Sequence, residues 1–278
     1  MSLQEKYIKI AGAFVEPYKK DTNIVGAVLG GGVSRGTGDV YSEIDIYFFV
    51  KGAKKSKNLP PRLPGIGGDI NVNGVWFEFK IKEFEKERKR EWGMVDKWDG
   101  KDVKILFDRN NKVRNLFKEK CTWKKGEKKS LSDEFRFKGN WLIALAEKFD
   151  KRGDLRHAHM LLNECLDSYV NAYFLLNNEF VPFYKWKYYY FNKLKKPNEK
   201  VRKKIYEAYK IKDYGSRDLW RRINLIKNHV IQGDLKEETW APHKQKLENV
   251  KNFTKSLKEG VKYSDPFKDN KLGGSRMK

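Results

Sequence analysis

The spacing of hydrophobic residues along the 278-residue chain changes in kind near its middle. Up to about residue 125, short apolar runs typical of β-strands alternate with amphipathic helical stretches, whereas the later spacing is helical throughout. A polar, glycine-bearing stretch at 124–134 separates the two patterns. We therefore predict an α/β (α+β) domain on a small mixed sheet at 1–125, an all-α helical bundle at 126–262, and a mobile tail at 263–278.

The first domain is predicted to run in the order helix, strand, loop, strand, hairpin, helix, strand and helix. Its hairpin is the strongest local signal, because Asn73-Gly74 joins two alternating runs and this dipeptide favours a type I′ turn. Such an order is typical of a layered α/β or α+β domain. The predicted bounds are a helix at 3–20, strands at 23–30 and 43–50, a hairpin at 69–81, a charged helix at about 82–98, a strand at 102–108 and a helix at 111–120.

The second domain is predicted to be a bundle of five or six antiparallel helices. Ser132 is placed to cap a helix that runs to about Lys151, and three-and-four spacing of apolar residues predicts a long helix over 155–176. Pro182 suits the first turn of the aromatic-rich helix that follows. The remaining predicted helices lie at 198–211, 216–231 and 242–260.

Three acidic residues occupy positions on the predicted strands that bring them together. Side chains alternate along a strand, so Glu43 and Asp45 share one face of theirs while the isoleucines between and beyond them share the other. Glu78 sits in the middle of the second hairpin strand, on the side of Trp76 and Lys80. We expect the three carboxylates to converge.

The segment between the first two strands, GGGVSRGTG at 30–38, is rich in glycine. Without side chains, its backbone N–H groups can close on a phosphate. It is not a Walker loop, because no Gly-Lys-Ser/Thr ends it, and the dinucleotide-binding spacing fails at Arg35. Two carboxylates on one strand and a third on a neighbour offer the oxygen ligands that Mg²⁺ prefers and shares with phosphates. Loop and acids together are typical of nucleotidyl transfer.

The stretch from Gly31 to Asp45 resembles, without a gap, the signature of the DNA polymerase β-like nucleotidyltransferase superfamily. It is most similar to the branch of aminoglycoside and lincosamide antibiotic nucleotidyltransferases. Their pattern is Gly-Gly/Ser, a spacer, acid-hydrophobic-acid, and a third acid on a later strand, a place that Glu78 fits. Residues 103–117 are similar to the strand and helix that close this domain, and 175–186 resemble a helix-turn-helix of related transferases.

The resemblance implies a role for each matching residue. Residues implied to contact the nucleotide are Gly31, Gly32, Ser34, Arg35 and Ser42, with Lys82 and Lys185 as further phosphate candidates. Glu43 and Asp45 are implied to bind Mg²⁺, and Glu78 to be a third metal ligand or the general base. The family usually has aspartate where Glu43 stands, and the extra methylene shifts a carboxylate by about an ångström where a site tolerates roughly half that.

The resemblance therefore implies an Mg²⁺-dependent nucleotidyltransferase that moves a nucleoside monophosphate, with AMP from ATP favoured, onto a hydroxyl of a small molecule, a protein or an RNA. Sixty Lys and Arg residues against 37 Asp and Glu residues give a net charge of +23, which favours an anionic partner and admits nucleic acid. Two alternatives stay open, a non-catalytic nucleotide-binding regulatory module of the same fold and an RNA-binding protein.

Cysteine usage and hydropathy predict a cytoplasmic protein without a membrane partner. Cys121 and Cys165 lack metal or redox spacing, which indicates free thiols in a reducing compartment. No apolar stretch approaches the ~20 residues needed to cross a bilayer. His157 and His159 lie two apart on a predicted helix and are interpreted as surface or packing residues.

Simpler interpretations stand beside these assignments. The two acids of the first acidic strand could face water at a sheet edge, and Glu78 could form only a structural ion pair with Lys80. Most aromatic residues at 180–191 are expected to pack between helices. Trp186 and Lys185, near a predicted helix start, are the two of that segment expected to face a cleft.

Overall fold

The structure, a computed structural model, describes residues 1–52, 68–233 and 235. They belong to one compact unit, Met1–Leu235. Within them the chain forms a five-stranded mixed sheet in its first part and helices after it, so the predicted fold class is confirmed. The last predicted helix and the tail lie outside the described residues, and the predicted domain boundaries stay predictions.

Five strands make up the sheet: β1 (Ile24–Leu29), β2 (Ile44–Val50), β3 (Gly68–Val72), β4 (Val75–Glu83) and β5 (Lys104–Asp108), in the order β3-β4-β2-β1-β5. β1 is antiparallel to β2 and β5, and β3 is antiparallel to β4. Asn73 and Gly74 between β3 and β4 have φ of 52° and 83°, which fits the predicted type I′ turn. β2 and β4 are parallel, so the two acid-bearing strands run side by side in one direction.

The alternating side chains of the sheet divide the first part of the core between two faces. Five helices accompany the sheet: α1 (Leu3–Val15), α2 (Gly31–Ser34), α3 (Phe84–Lys89), α4 (Met94–Lys101) and α5 (Lys112–Lys120). Ile44 and Ile46 pack on one face with α1, whereas Tyr47 and Phe49 pack on the other with α5. This is the predicted alternation, and it leaves Asp45 on the face of Tyr47.

The prediction of one continuous charged helix at 82–98 is wrong, because the chain forms two helices there, α3 and α4, with a break between them. The Asp96 carboxylate accepts the N–H of Gly93 (3.1 Å), so a new helix begins there. Trp92, within the break, is 4% exposed, and its ring centre lies 5.2 Å from that of Phe117. Burial of this ring against the sheet outweighs continuation of the helix.

The described chain after the sheet is helical. Its helices are α6 (Glu127–Lys151), α7 (Leu155–Leu176), α8 (Lys187–Phe191), α9 (Glu199–Tyr209) and α10 (Ser216–Leu225), with a 3₁₀ turn at Tyr184–Trp186 and a π-helical turn at Ile226–Ile231. The predicted helix at 155–176 is confirmed, and its residues Leu162, Leu166 and Tyr173 are buried in the core of this part. In the described ranges, no helix combines the length and hydrophobicity needed to cross a bilayer.

The predicted start of the first long helix is wrong. α6 begins at Glu127, and Ser132 lies inside it. The Glu127 carboxylate accepts the N–H of Lys124 (2.8 Å) and lies 2.6 Å from Nζ of Lys97, which is buried. This tertiary ion pair fixes the helix start six residues earlier than the serine signal indicates.

The aromatic-rich segment does not start a helix at Pro182. Phe180 and Val181 are buried, and the chain stays without regular structure until the turn at Tyr184–Trp186. Burial of two apolar side chains outweighs the preference of proline for the first turn of a helix.

Candidate functional site

A pair of carboxylates lies at the centre of the sheet. The parallel register places Asp45 of β2 directly beside Glu78 of β4, and the two side chains are hydrogen-bonded. Burial raises the pKa of Asp45 to about 7, and the negative charge of Glu78 adds to this shift. The negative charge of Asp99 contributes to the same shift, while Lys80 opposes it. Like charges this close favour either a shared proton or a bound cation.

Two lysines continue the row of β4 side chains beyond the pair. Lys80 Nζ lies 2.7 Å from Glu78 Oε1, so the ion pair of the simpler interpretation is present. Burial lowers the pKa of Lys80, but the hydrogen bond and charge of Glu78 and the neighbouring acids outweigh it, and the net shift is upward. Lys82 Nζ lies 5.2 Å from the ring centre of Tyr47. Positive charge therefore follows the acids along one face of the sheet.

The glycine-rich turn after β1 lies directly on the carboxylate pair. Gly30 donates its N–H to the Asp45 carbonyl (2.8 Å). Gly31 has a φ of +65°, and a Cβ on it would lie 1.6 Å from Asp45 Oδ2. A Cβ on Gly30 would lie 2.8 Å from the Tyr47 ring. The close approach of the turn to Asp45 and Tyr47 therefore requires glycine at both positions. The left-handed backbone conformation is a further reason for glycine at position 31.

The hydroxyl groups of Ser34 and Ser42, which are predicted to contact the nucleotide, form hydrogen bonds within the loop. Ser34 is buried, and its hydroxyl donates to the Gly31 carbonyl (3.0 Å). Ser42 Oγ donates to Asp39 Oδ1 (2.9 Å). Both hydroxyls are engaged within the loop, and their contacts with a nucleotide stay predictions.

Arg35 ties the glycine-rich turn to α4. Its side chain is 3% exposed, its Nη2 lies 2.5 Å from Asp99 Oδ1, and its guanidinium stacks 3.9 Å from the ring centre of Trp98. Asp99 also accepts the hydroxyl of Tyr47 (2.8 Å). Asp99 was not predictable from the sequence, because it lies in a charged helical stretch where no pattern distinguishes it. The predicted contact of Arg35 with nucleotide stays a prediction, since its observed partners are internal.

Glu43 and Asp69 lie at the margins of the pair. Glu43 precedes the first residue of β2 and is exposed. Among the residues that the structure describes, no three His, Cys, Asp or Glu side chains are grouped to hold a metal ion, so Glu43 is not drawn into a three-carboxylate cluster. Asp69 of β3 is the register partner of Glu78. This pairing was not predicted, although the two-residue Asn73-Gly74 turn fixes the register that produces it.

The donor chemistry of the carboxylate pair suits a divalent cation. Mg²⁺ prefers oxygen ligands and is commonly held by one or two carboxylates together with substrate phosphates. The raised pKa of Asp45 indicates that negative charge at this point lacks full compensation. Asp45 and Glu78 therefore fit Mg²⁺ as a two-carboxylate site, although the metal roles of the predicted residues stay predictions.

Aromatic residues of the helical part close the other side of the glycine-rich turn. A Cβ on Gly32 would lie 3.6 Å from the Trp186 ring. Tyr190 of α8 packs edge-on against Trp98 of α4, with ring centres 5.5 Å apart. Lys185 is exposed, and its predicted phosphate contact stays a prediction. The turn thus lies between the carboxylate pair and an aromatic wall.

Comparisons with known proteins match a family model and several solved structures. The family model described as "Domain of unknown function (DUF4037)" matches residues 131–187, which correspond to most of α6, all of α7 and the segment up to α8. No curated protein matches the chain. Among solved structures, the chain is similar to a nucleotidyltransferase-like protein from Exiguobacterium sibiricum 255-15, with 11% sequence identity and a TM-score of 0.43 over 90% of this chain and 89% of that one.

Proposed function

We propose that this protein is an Mg²⁺-dependent nucleotidyltransferase that moves AMP from ATP to a hydroxyl group of an acceptor. The observation that carries the proposal is the contact between the Gly31 backbone and the Asp45 carboxylate, which is itself paired with Glu78. A phosphate bound by the backbone of the turn would therefore lie beside two carboxylates. This juxtaposition is what transfer of a nucleotidyl group requires.

The proposed binding roles follow from what each group offers. Backbone N–H groups of the turn around Gly31 receive the phosphates of ATP, and Lys80 and Lys82 balance their charge. Asp45 and Glu78 are the residues that would hold Mg²⁺, which when bound stabilises the charge on the departing pyrophosphate.

Transfer is proposed as an in-line displacement. The acceptor oxygen forms a bond to the α-phosphorus, the bond from that phosphorus to the bridging oxygen breaks, and pyrophosphate leaves with the electron pair. The hydroxyl proton passes to Glu78 as general base. Glu78 suits this role because it is held in the middle of a strand while its side chain remains 32% exposed.

One observation favours a second candidate function, nucleotide binding without turnover. Lys80 already supplies a positive charge at 2.7 Å from Glu78, so the pair is partly compensated without a metal. A protein of this kind would bind ATP at the same turn without hydrolysing or transferring it, and nucleotide binding itself would regulate its activity.

The experiment that tests the proposal follows label from α-³²P-ATP and Mg²⁺ onto a panel of acceptors of three kinds: aminoglycosides and other polyols, proteins, and RNA. We expect labelled acceptor and stoichiometric pyrophosphate from the wild type, and neither from Asp45→Asn. Asp133→Asn on α6, which removes an exposed carboxylate of the same size, is the matched control and should retain activity. Full transfer by Asp45→Asn would overturn the assignment, and ATP binding without transfer to any acceptor would favour the second candidate.

A further inference from the structure

One segment of the chain combines aromatic residues and lysines without any acid. Residues 180–198 contain eight aromatic residues and five lysines, and neither Asp nor Glu. Five lysines with no acid among them make this segment locally cationic. Any partner that it meets is therefore expected to be anionic.

Core packing explains only some of these aromatic rings. Phe180 and Phe191 are buried, as is predicted from the sequence for most of the segment. Phe183, Tyr184 and Tyr189 are 41%, 74% and 43% exposed. Tyr184 is mostly exposed, and the other two rings keep about two fifths of their surface in water beside a run of lysines, so packing alone does not account for all three.

The exposed aromatic rings lie next to the glycine-rich turn, to which Trp186 connects them. Trp186 contacts that turn, and its ring centre lies 5.7 Å from the ring of Tyr189. Lys193 Nζ lies 4.0 Å from the centre of the same tyrosine ring and 2.7 Å from its hydroxyl. The aromatic–lysine strip, defined as Phe183, Tyr184, Trp186, Tyr189 and Lys193, therefore runs from the proposed nucleotide site onto the protein surface.

We propose that the aromatic–lysine strip binds a single-stranded nucleic acid. Unpaired bases stack on exposed aromatic rings, and lysines between the rings neutralise the backbone phosphates. A duplex presents no free base faces for such rings, and an acidic protein lacks the regular repeat of phosphate and planar base that a single strand offers. That the bound strand supplies the acceptor hydroxyl rests on the function proposed above, whereas the binding itself does not.

Binding is tested by fluorescence anisotropy with a labelled single-stranded RNA of about twelve nucleotides, without ATP or Mg²⁺. Tyr189→Ala is expected to raise the Kd at least about fivefold, the effect of losing one stacked base. Lys193→Ala is expected to lower the slope of log Kd against log salt by about 0.7. The matched controls are Trp141→Ala and Lys138→Ala, an exposed ring and an exposed lysine on α6, and both should leave binding unchanged.

Further variants separate stacking from loss of folding and from charge alone. Tyr189→Phe keeps the ring and should bind as the wild type does, and Asp45→Asn should bind equally well, so a failure of transfer leaves this test intact. Heparin, a polyanion without bases, should bind Tyr189→Ala and wild type alike. Equal effects of Tyr189→Ala and Trp141→Ala, equal competition by a duplex of the same length, or no binding at low salt would each overturn the proposal.

Discussion

Single residues decide whether the glycine-rich turn and the acids form one site. The sequence predicts a loop that approaches a ligand closely, because it contains consecutive glycines. It does not show that the nearest neighbour of Gly31 is the Asp45 carboxylate, since this contact depends on how β1 and β2 pair. Asp99 and its bonds to Arg35 and Tyr47 were beyond prediction for the same reason.

Replacement of Gly31 by alanine tests this contact. The positive φ alone costs about 1–2 kcal/mol of unfolding free energy, and the new Cβ would also displace the Asp45 carboxylate. A binding site tolerates displacement of a ligating carboxylate by only about half an ångström. Loss of the support of a metal ligand typically lowers affinity by about tenfold or more. We therefore expect Gly31→Ala to weaken binding of Mg²⁺ and ATP about tenfold or more. Urea unfolding and calorimetry measure the two effects.

Gly36 provides the matched control, because it has a φ of +78° and open space around it. Gly36→Ala should lose a similar unfolding free energy and keep the affinity for Mg²⁺ and ATP. If both alanine variants bind nucleotide as the wild type does, the turn does not position the carboxylate.

His159 makes the stability of the helical part depend on pH. It is fully buried, its Nδ1 lies 2.9 Å from Arg222 Nη1, and its Nε2 lies 3.3 Å from the Gly215 carbonyl. Burial lowers its pKa below 6.5, and the charge of Arg222 adds to this, against the opposing effects of the Gly215 carbonyl, Asp218 and Asp213. His159 therefore takes up a proton more readily in the unfolded chain than in the folded chain. The unfolding free energy falls as the pH drops below about 6.5.

The measurement is the unfolding free energy in urea between pH 7.5 and pH 5 for the wild type and for His159→Gln. The glutamine variant should lose part of the decline that the wild type shows on acidification, because it has no proton to bind at this position. Identical pH dependence in the two proteins would show that His159 does not contribute.

At the scale of elements, alternation and turn chemistry made most of the sheet predictable. The strand faces and the Asn73-Gly74 hairpin follow from local spacing, and both are present. The break between α3 and α4 and the early start of α6 were not predictable, because each depends on a distant partner. Trp92 packs against α5, and Glu127 pairs with Lys97.

Close packing of α6 on α7 depends on a glycine. A Cβ on Gly139 would lie 2.6 Å from the ring of Tyr169, which is 2% exposed. Alanine gains about 1 kcal/mol of helix propensity over glycine, but an overpacked core loses about 1–3 kcal/mol. We expect Gly139→Ala to lower the unfolding free energy by up to about 2 kcal/mol.

Gly12 of α1 is the control for helix propensity, since nothing lies within 4 Å of a Cβ placed there. Gly12→Ala should therefore raise the unfolding free energy by up to about 1 kcal/mol. Thermal and urea unfolding of the two variants measure the difference. If both replacements raised the unfolding free energy, α6 and α7 would accommodate the added methyl group at Gly139 without loss of stability, and close packing would not depend on this glycine.

At the scale of the whole molecule, the site depends on strand order. Asp45 and Glu78 meet because β2 and β4 are parallel neighbours, and a parallel pairing between distant segments leaves no local signal. The resemblance predicted that the acids converge, and the structure brings two of the three named acids together and leaves Glu43 at the margin. The net charge of +23 predicts an anionic partner without choosing among nucleotide, RNA and acidic surfaces.

The central claim is that Asp45 and Glu78 act as one unit in binding Mg²⁺ and ATP. Calorimetric titration of ATP, with and without Mg²⁺, into the wild type, Asp45→Asn, Glu78→Gln and the double variant measures this directly. We expect Mg²⁺-dependent binding in the wild type, a loss of roughly tenfold or more in each single variant, and little further loss in the double variant. Unchanged Mg²⁺-dependent affinity in both single variants would contradict the account.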